Sequence, residues 1–185
     1  MSDVWEDIDA ALFDLDGVLT PTAEVHMRAW QALFVDYLTS KGIVDQPYTE
    51  SDYFDHIDGK PRYDGVRSFL ASRGLTLPEG DPSDPPTAET VCGLGNRKNE
   101  FFSNVLRDAG VQPYPASVTL LDHLATTSIK LAVVSSSRNA PAVLDAAGLT
   151  ERFDLVVDGQ VAAEAHLAGK PAPDTYAYAA QRLGV

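Results

Sequence analysis

The stretch Phe13–Thr20 places the tightest constraint on how this chain can fold. An apolar run, Ala10–Phe13, ends at two carboxylates, Asp14 and Asp16, and Gly17 follows them directly. An apolar run that stops near a glycine is typical of a buried strand that leads into a loop. Because strand side chains alternate with a period of two, Asp14 and Asp16 can point to the same side as the chain leaves the sheet. We therefore predict a catalytic site here, at which one carboxylate attacks and the other moves protons.

Two other interpretations of the carboxylate pair can be weighed from the residues. A calcium-binding loop requires a bidentate Glu at its twelfth position, where this chain has Val25, so that interpretation is excluded. A plain turn with two solvated aspartates stays open, although the apolar run before it disfavours that interpretation. At the carboxyl end of a parallel strand, side chains face the crevice in which doubly wound sheets bind ligands.

The sequence pattern predicts alternating strands and helices in the N-terminal and C-terminal parts of the chain, and helices alone in the part between them. Strands are predicted over 130–134 and 153–157, and helices over 22–40, 62–72, 88–109, 117–126, 140–147 and 174–183. The segment 46–59 has no strong period, and 76–86 is a proline-rich loop. Strands that alternate with helices imply a parallel sheet with right-handed crossovers. We predict an α/β core made of 1–20 and 112–185, interrupted by a hinge helix and helical insertion over 21–111.

Charge and cysteine content exclude several classes of partner. The 185 residues include 14 Lys and Arg against 27 Asp and Glu, a net charge of −13, so long-range electrostatics repels nucleic acid and anionic membranes. Cys92 is the single cysteine, the acidic N-terminus does not resemble a secretory signal, and all apolar runs are shorter than a membrane span. We expect a cytoplasmic protein with neither a nucleic-acid nor a membrane partner, in which a few local cations capture any anionic substrate.

Two further groups fit phosphoryl chemistry at the same sheet edge. A carboxylate is a competent nucleophile toward phosphorus when cations and backbone N–H groups neutralise the transferring group. Ser135 directly follows the strand over 130–134, so its hydroxyl can bind phosphate oxygens, although three consecutive serines are equally typical of a helix cap. Lys170 lies between Gly169 and Pro171 and can hold charge between Asp14 and a phosphate, although a lone lysine is usually only solvated.

The histidines and one glycine-rich stretch carry no recognisable metal or nucleotide motif. The four histidines, at 26, 56, 123 and 166, lack metal-ligand spacing, and there is no cysteine pair. The stretch Gly93–Lys98 lacks the third glycine of a dinucleotide fingerprint and follows no predicted strand.

Three short motifs, in this order and spacing, resemble the haloacid dehalogenase superfamily of phosphotransferases, and within it the β-phosphoglucomutase branch. They are the Asp-x-Asp-Gly-Val-Leu-Thr signature at Asp14–Thr20, a small hydroxyl residue after the second strand at Ser135, and Gly-Lys-Pro-Ala-Pro-Asp at Gly169–Asp174. The resemblance covers nearly the whole chain. It implies a doubly wound, Rossmann-like parallel sheet with an inserted helical cap.

The insertion indicates the β-phosphoglucomutase branch. The start of the first helix looks like the mutase hinge region with its functional histidine, here His26. Asp58–Arg62 resembles the cap loop whose arginine holds the non-transferring phosphate, and Arg97–Asn99 resembles a cap segment whose lysine contacts substrate. A bidentate arginine suits a phosphate better than a lysine does. From the residues alone, His26 can simply pack, and Arg62 and Lys98 can be surface charges.

The resemblance also implies a mechanism. Asp14 takes a phosphoryl group, while Asp16 protonates the leaving sugar oxygen and later removes a proton when the reoriented sugar attacks the aspartyl-phosphate. Mg²⁺ joins Asp14, the backbone carbonyl of Asp16 and the transferring phosphate, and Ser135 and Lys170 complete the catalytic set. The implied substrate contacts are His26, Arg62, Lys98, Ser136, Ser137 and Asn139. The implied net reaction converts β-glucose 1-phosphate to glucose 6-phosphate through a bisphosphate, and a closing cap excludes water.

The chain departs from the family pattern at three places. Pro21 replaces an acidic residue, Asp58 replaces a lysine of the mutase cap loop, and the acidic pair that completes the magnesium site is expected after Val185. In the family pattern, the strands on the far side of the Asp14 strand also follow this acidic pair. We therefore predict that the sequence is a fragment, a truncated chain, or one completed by another chain, and that its magnesium affinity and turnover are reduced.

Three functions stay open: a phosphosugar mutase, a phosphatase of a small phosphorylated sugar or acid, and an inactive phosphosugar-binding or interaction module. The oligomeric state stays open as well.

Overall fold

Two compact units make up the part of the chain that the structure describes. The structure is a computed structural model that describes residues 7–185. One unit contains the described residues up to Thr22 together with Gly110–Val185, and the other is Ala23–Ala109. The assignment of these units as catalytic core and cap stays a prediction.

A three-stranded parallel sheet forms the first unit's centre. It contains β1 (Ala10–Phe13), β2 (Lys130–Val134) and β3 (Leu155–Val157), in the order β1-β2-β3. Phe13 pairs with Val133, and Val134 pairs with Val157. The side chains of β2 after Lys130 are buried, as expected for a central parallel strand covered on both faces. The predicted α/β fold with a parallel sheet is confirmed; the further strands expected after Val185 stay a prediction.

Residues 7–185 contain eight helices. In chain order they are α1 (Thr22–Ser40), α2 (Glu50–His56), α3 (Arg62–Ser72), α4 (Val91–Ala109), α5 (Pro115–Leu124), α6 (Ala140–Ala146), α7 (Gly159–Glu164) and α8 (Asp174–Leu183), with a 3₁₀ turn at Thr150–Arg152. Helix α8 contacts all three strands. It buries Thr175, Ala179 and Leu183, one side chain every four residues, so a single face of the helix meets the sheet.

The second unit is helical, and aromatic side chains fill its core. Phe34 of α1 stacks on Phe69 of α3 with ring centroids 3.8 Å apart, and Trp30 stacks on Phe34 at 5.4 Å. Leu94 of α4 and Val66 of α3 are fully buried in the same cluster. Apolar residues three to five positions apart on α1 thus supply one face of this core.

Helix α2 was not predicted, because its sequence has no apolar period. It forms in the segment 46–59, where the Thr49 N–H donates to the Asp52 carboxylate over 2.7 Å in a capping box. The Arg73 guanidinium lies 2.7 Å from the same carboxylate. A cap and a tertiary ion pair therefore stabilise a helix of seven residues that periodicity does not reveal.

Other bounds differ from the predictions as well: α5 lies two residues earlier, at 115–124, and β3 begins at residue 155 rather than 153. Helix α4 begins at Val91 rather than at residue 88, since the Thr90 hydroxyl accepts a bond from the Gly93 N–H at 2.9 Å and caps the helix there. The unpredicted α7 begins after Asp158, whose carboxylate accepts from the N–H groups of Gln160 and Val161. Within residues 7–185, none of the helices has the length and apolarity that crossing a bilayer requires. The cytoplasmic location stays a prediction.

Candidate active site

Asp14 and Lys170 lie together at the carboxyl edge of the sheet. Asp14 directly follows β1, and its Oδ1 is 2.8 Å from the ammonium nitrogen of Lys170. The same ammonium donates to the main-chain oxygen of Val134, at the end of β2, over 2.9 Å. Lys170 is anchored in addition by its position 5.2 Å from the ring centroid of Tyr176. The lysine is therefore no solvated surface charge, and its ammonium is fixed beside the first carboxylate.

Asp16 is held by hydroxyl groups. Its Oδ1 accepts a hydrogen bond from the Thr22 hydroxyl, and its Oδ2 lies 3.5 Å from the Ser135 hydroxyl. The hydroxyls of Thr22 and Thr20 are 2.8 Å apart, and either can be the donor. All three hydroxyl residues are buried. A cation therefore lies beside Asp14, and two hydroxyl groups contact Asp16.

Thr22, the first residue of α1, is a candidate functional residue that the sequence analysis did not single out. The loop after Asp16 folds back at Gly17, which has φ of 82°. The Gly17 N–H then donates to the carbonyl of Thr20 over 2.7 Å, and Asp16 and Thr20 form a β-bridge. A left-handed residue at this turn is why glycine fits there. A hydroxyl six residues after an aspartate carries no sequence signal, because only the returning loop brings the two together.

The serine loop after β2 makes the turn bonds expected before a helix, and phosphate binding by Ser135 stays a prediction. The Ser135 N–H donates to the carbonyl of Val157 over 2.9 Å, which fixes Ser135 at the sheet edge. Its hydroxyl accepts from the Ser137 N–H, and the Ser137 hydroxyl accepts from the Asn139 N–H, each over 3.1 Å. These are turn bonds of the kind that precede a helix. Ser135 thus contacts Asp16, while Ser137 and Asn139 shape the entry into α6.

A glycine on the neighbouring loop permits a close backbone approach to the serine loop. A Cβ at Gly159 would lie 2.5 Å from the carbonyl oxygen of Ser136, which is shorter than a real contact allows. The Gly159 N–H also faces the carbonyl of Ser137 at 3.3 Å. The β3–α7 turn therefore packs directly on the backbone of this loop.

Lys98 and His26 form a second cluster, within the unit 23–109. The Lys98 ammonium contacts Nδ1 of His26 and lies 5.3 Å from the Trp30 ring centroid and 4.9 Å from that of Phe102. The His26 ring stacks on Phe102 with centroids 4.0 Å apart. Lys98 is only 4% exposed, so the alternative in which it is a surface charge is wrong. Aromatic faces offset part of the cost of burying an ammonium group.

Arg62 is the first residue of α3 and points to α4. Its guanidinium donates to Oδ1 of Asn99 over 2.8 Å and to Oδ1 of Asn96 over 3.4 Å. Arg62 is half-buried, so the interpretation as a simple surface charge does not fit it either. Asp58, which stands where the mutase pattern has lysine, is exposed.

The carboxylate pair offers the hard oxygen donors that Mg²⁺ prefers. Among residues 7–185, no cluster of three or more His, Cys, Asp or Glu side chains is placed to hold a metal ion. Mg²⁺ usually uses only one or two protein carboxylates and completes its shell with waters and substrate phosphate. Asp14 and the main-chain oxygen of Asp16 fit a site of that kind. Cys92 is a poor alternative nucleophile or ligand, since burial raises the pKa of its thiol.

Comparison with known proteins gives consistent results over the described chain. The family model described as haloacid dehalogenase-like hydrolase matches residues 8–185. A β-phosphoglucomutase of Mycobacterium tuberculosis is 48% identical, over 97% of this chain and 71% of that protein. The crystal structure of β-phosphoglucomutase from Clostridium difficile superposes with a TM-score of 0.75 at 24% identity, covering 96% of this chain and 72% of that one.

A second crystal structure shows a relative with a bound sugar bisphosphate. It is a mutant of CbbY from Rhodobacter sphaeroides in complex with xylulose-(1,5)bisphosphate, with a TM-score of 0.70 and 25% identity over 96% of this chain and 73% of that one. The family match extends over nearly all described residues and agrees with the parallel sheet and its two edge carboxylates. The chain therefore belongs to the haloacid dehalogenase-like hydrolase family, and its relatives include members of the β-phosphoglucomutase branch.

Proposed function

We propose that this protein is a phosphosugar mutase that interconverts β-glucose 1-phosphate and glucose 6-phosphate through a phosphoryl group carried on Asp14. The observation that carries the proposal is the pair of unlike carboxylates at the sheet edge: Asp14 beside the Lys170 ammonium, and Asp16 beside the Thr22 hydroxyl. Environments that differ in this way assign different roles to two carboxylates. The 48% identical relative named β-phosphoglucomutase supports the choice of reaction.

The roles of the sheet-edge residues follow from what each atom can do. A carboxylate oxygen of Asp14 attacks phosphorus, the bond between phosphorus and the sugar oxygen breaks, and Asp16 gives a proton to that oxygen. In the return step Asp16 takes a proton from the attacking sugar hydroxyl. A hydroxyl can donate to a carboxylate or accept from a carboxylic acid, so Thr22 can hold Asp16 in both protonation states.

Lys170 and Ser135 would stabilise the charge of the transferring group. The Lys170 ammonium is held in place by the Val134 carbonyl, so little reorganisation is needed when negative charge develops near Asp14. Ser135 is buried at the same edge, and Ser136, Ser137 and Asn139 follow it as candidate substrate contacts. Magnesium, when bound, supplies positive charge that offsets the charge of the phosphoryl group, and Asp14 and the Asp16 carbonyl would hold it.

Residues of the unit 23–109 are proposed as the cap's contacts with the substrate. Arg62 would bind the non-transferring phosphate, because a guanidinium matches phosphate oxygens with two parallel bonds. Lys98 and His26 would contact the sugar phosphate near the aromatic rings that surround them. The sugar bisphosphate bound to the CbbY relative supports a reaction that passes through a sugar bisphosphate.

The test follows β-glucose 1-phosphate by NMR with Mg²⁺ and a trace of glucose 1,6-bisphosphate. We expect glucose 6-phosphate to appear, and to be abolished by Asp14→Ala. Release of inorganic phosphate without glucose 6-phosphate would instead support the second candidate, a phosphatase on the same chemistry, which the hydrolase description of the family favours. Absence of both products with every sugar phosphate tried would favour the inactive binding module.

A further inference from the structure

Asn96 connects Arg62 to the loop between α3 and α4. Its Nδ2 donates to the carbonyl oxygens of Pro82 and Asp84, over 3.0 and 2.9 Å. Its Oδ1 accepts from the Tyr63 hydroxyl at 3.1 Å and from the Arg62 guanidinium at 3.4 Å. An asparagine side chain has two donor hydrogens and two acceptor lone pairs, so these four bonds use its full capacity. Asn96 is therefore fixed from both sides.

The loop that anchors Asn96 is itself ordered by side-chain bonds. The Asp84 carboxylate accepts from the Thr90 hydroxyl at 2.6 Å and from the Asp81 N–H at 3.1 Å. The Asp81 carboxylate accepts from the Ser83 N–H at 2.9 Å. At Gly80, with φ of +74°, a Cβ would fall 2.2 Å from the Asp84 carboxylate. These bonds hold the carbonyls of Pro82 and Asp84 toward Asn96, so the loop 78–90 acts as a support.

Two glycines at the start of α4 make the arrangement possible. A Cβ at Gly93 would lie 2.3 Å from the carbonyl oxygen of Ala88, so glycine lets the loop meet the helix. A Cβ at Gly95 would lie 2.8 Å from the Tyr63 ring and 3.2 Å from Cδ of Arg62. Glycine is disfavoured in a helix interior relative to alanine, so its presence there calls for a packing reason. The glycine-rich stretch that carries no nucleotide motif therefore gives Arg62 and Tyr63 the space they occupy.

We propose that Asn96 is a positioning residue that fixes the Arg62 guanidinium for phosphate binding, with the loop 78–90 as its support. The inference rests on the proposed function, in which Arg62 binds the non-transferring phosphate. Asn96 and Asn99 present amide oxygens to the guanidinium, and both are neutral. A neutral amide oxygen can orient a guanidinium, whereas a carboxylate in the same place would compete directly with the phosphate.

The test is a double-mutant cycle on the binding of glucose 6-phosphate, measured by calorimetry on the full chain. The variants are Asn96→Ala, Arg62→Ala and the double variant, and Asn104→Ala on the exposed part of α4 is the matched control. We expect Asn96→Ala to weaken binding about tenfold, the size of one lost charge-assisted bond. We expect Arg62→Ala to weaken it at least as much, and the double variant to bind like Arg62→Ala, because Asn96 acts through Arg62. The control should bind like the unmodified chain.

A second variant tests the same inference without touching the amide. Gly95→Ala favours the helix by propensity but places a methyl group against Arg62 and Tyr63, so it should also weaken glucose 6-phosphate binding, while circular dichroism shows that the helices are retained. The positioning role of Asn96 would be overturned if the losses of binding free energy in the cycle were additive, or if both Asn96→Ala and Gly95→Ala bound normally. Neither result would affect the proposed role of Arg62. Normal binding by Arg62→Ala would overturn the proposed role of Arg62. Failure of the unmodified chain to bind glucose 6-phosphate would contradict the proposed function, and this inference with it.

Discussion

The ammonium nitrogen of Lys170 lies 2.8 Å from Oδ1 of Asp14 and is held by a second bond, of 2.9 Å, to the carbonyl of Val134. The second bond holds the Lys170 ammonium beside the proposed nucleophile, because Val134 is the last residue of β2, the middle strand of the sheet. Asp14 and Lys170 are 156 positions apart in the sequence, and the sheet brings them together.

Replacing Lys170 by methionine should remove charge stabilisation and leave the fold intact. We expect kcat for the mutase reaction to fall by about 10²–10³-fold, as for the loss of one preorganised donor at a developing charge. The measurement is the rate of glucose 6-phosphate formation at saturating substrate. Lys41→Met, at an exposed ion pair with Glu89, is the control and should keep full activity. A Lys170→Met variant with normal kcat would remove this residue from the catalytic set.

Replacing Thr22 by valine should impair the step that Asp16 performs. The change keeps the shape of the side chain and removes the hydroxyl that donates to Asp16. We expect kcat to fall by about ten- to hundredfold, the effect of one lost bond to a charged group, whereas Thr22→Ser should retain most of the activity. Equal activity of the valine and serine variants would remove the Thr22 hydroxyl from the proposed acid–base step.

Replacing Lys98 by methionine should separate stability from substrate affinity. The substitution removes a buried charge and keeps a side chain of similar length in the space beside Trp30 and Phe102. Burying an ammonium group costs free energy, so an apolar side chain of similar length in its place need not destabilise the fold. We expect an unchanged or higher thermal midpoint together with a higher KM for β-glucose 1-phosphate. A lower thermal midpoint with normal KM would mean that Lys98 is a structural residue.

The Asp52–Arg73 ion pair should make the helical unit sensitive to acid. Burial acts to raise the pKa of the Asp52 carboxyl, but the bonds from Arg73 and Thr49 outweigh it, so the pKa lies below its ordinary value. A carboxyl with a lowered folded-state pKa contributes stability that is present above the unfolded-state pKa and is lost as the pH falls through the folded-state value. The contribution should therefore be complete at neutral pH and fade below about pH 4.

Asp52→Asn tests this pH dependence. The free energy of unfolding of the variant should be lower than that of the unmodified chain at pH 7, and the difference should shrink as the pH falls below about 4. Asp55→Asn, at an exposed position of the same helix, is the control and should show little difference at either pH. A difference between the chains that grows on acidification would contradict the sign of this argument.

Much of the sheet and its edge could be predicted from the sequence, because short-range patterns determine them. The apolar runs before Asp14 and Ser135 are signals that need no knowledge of the rest of the chain. The motif around Lys170 marked that residue, and the structure places it at Asp14. The catalytic roles of these residues stay predictions.

Features that depend on contacts between distant residues could not be predicted. Helix α2 depends on Arg73, which lies 21 residues after Asp52. The Thr22–Asp16 bond depends on a loop that folds back at Gly17, and two of the four bonds of Asn96 depend on a loop whose sequence is rich in proline. In each case a polar side chain reaches its partner only in the folded chain, and the spacing of apolar residues along the sequence does not predict such a pair.

The central claim is that Asp14 carries the phosphoryl group, and intact-mass spectrometry tests it most directly. The chain is mixed with glucose 1,6-bisphosphate and Mg²⁺, quenched in acid, and digested to locate any adduct. The account predicts one added phosphoryl group on the peptide that contains Asp14, and no adduct in Asp14→Asn. Turnover of β-glucose 1-phosphate without such an adduct, or an adduct that persists in Asp14→Asn, would contradict it.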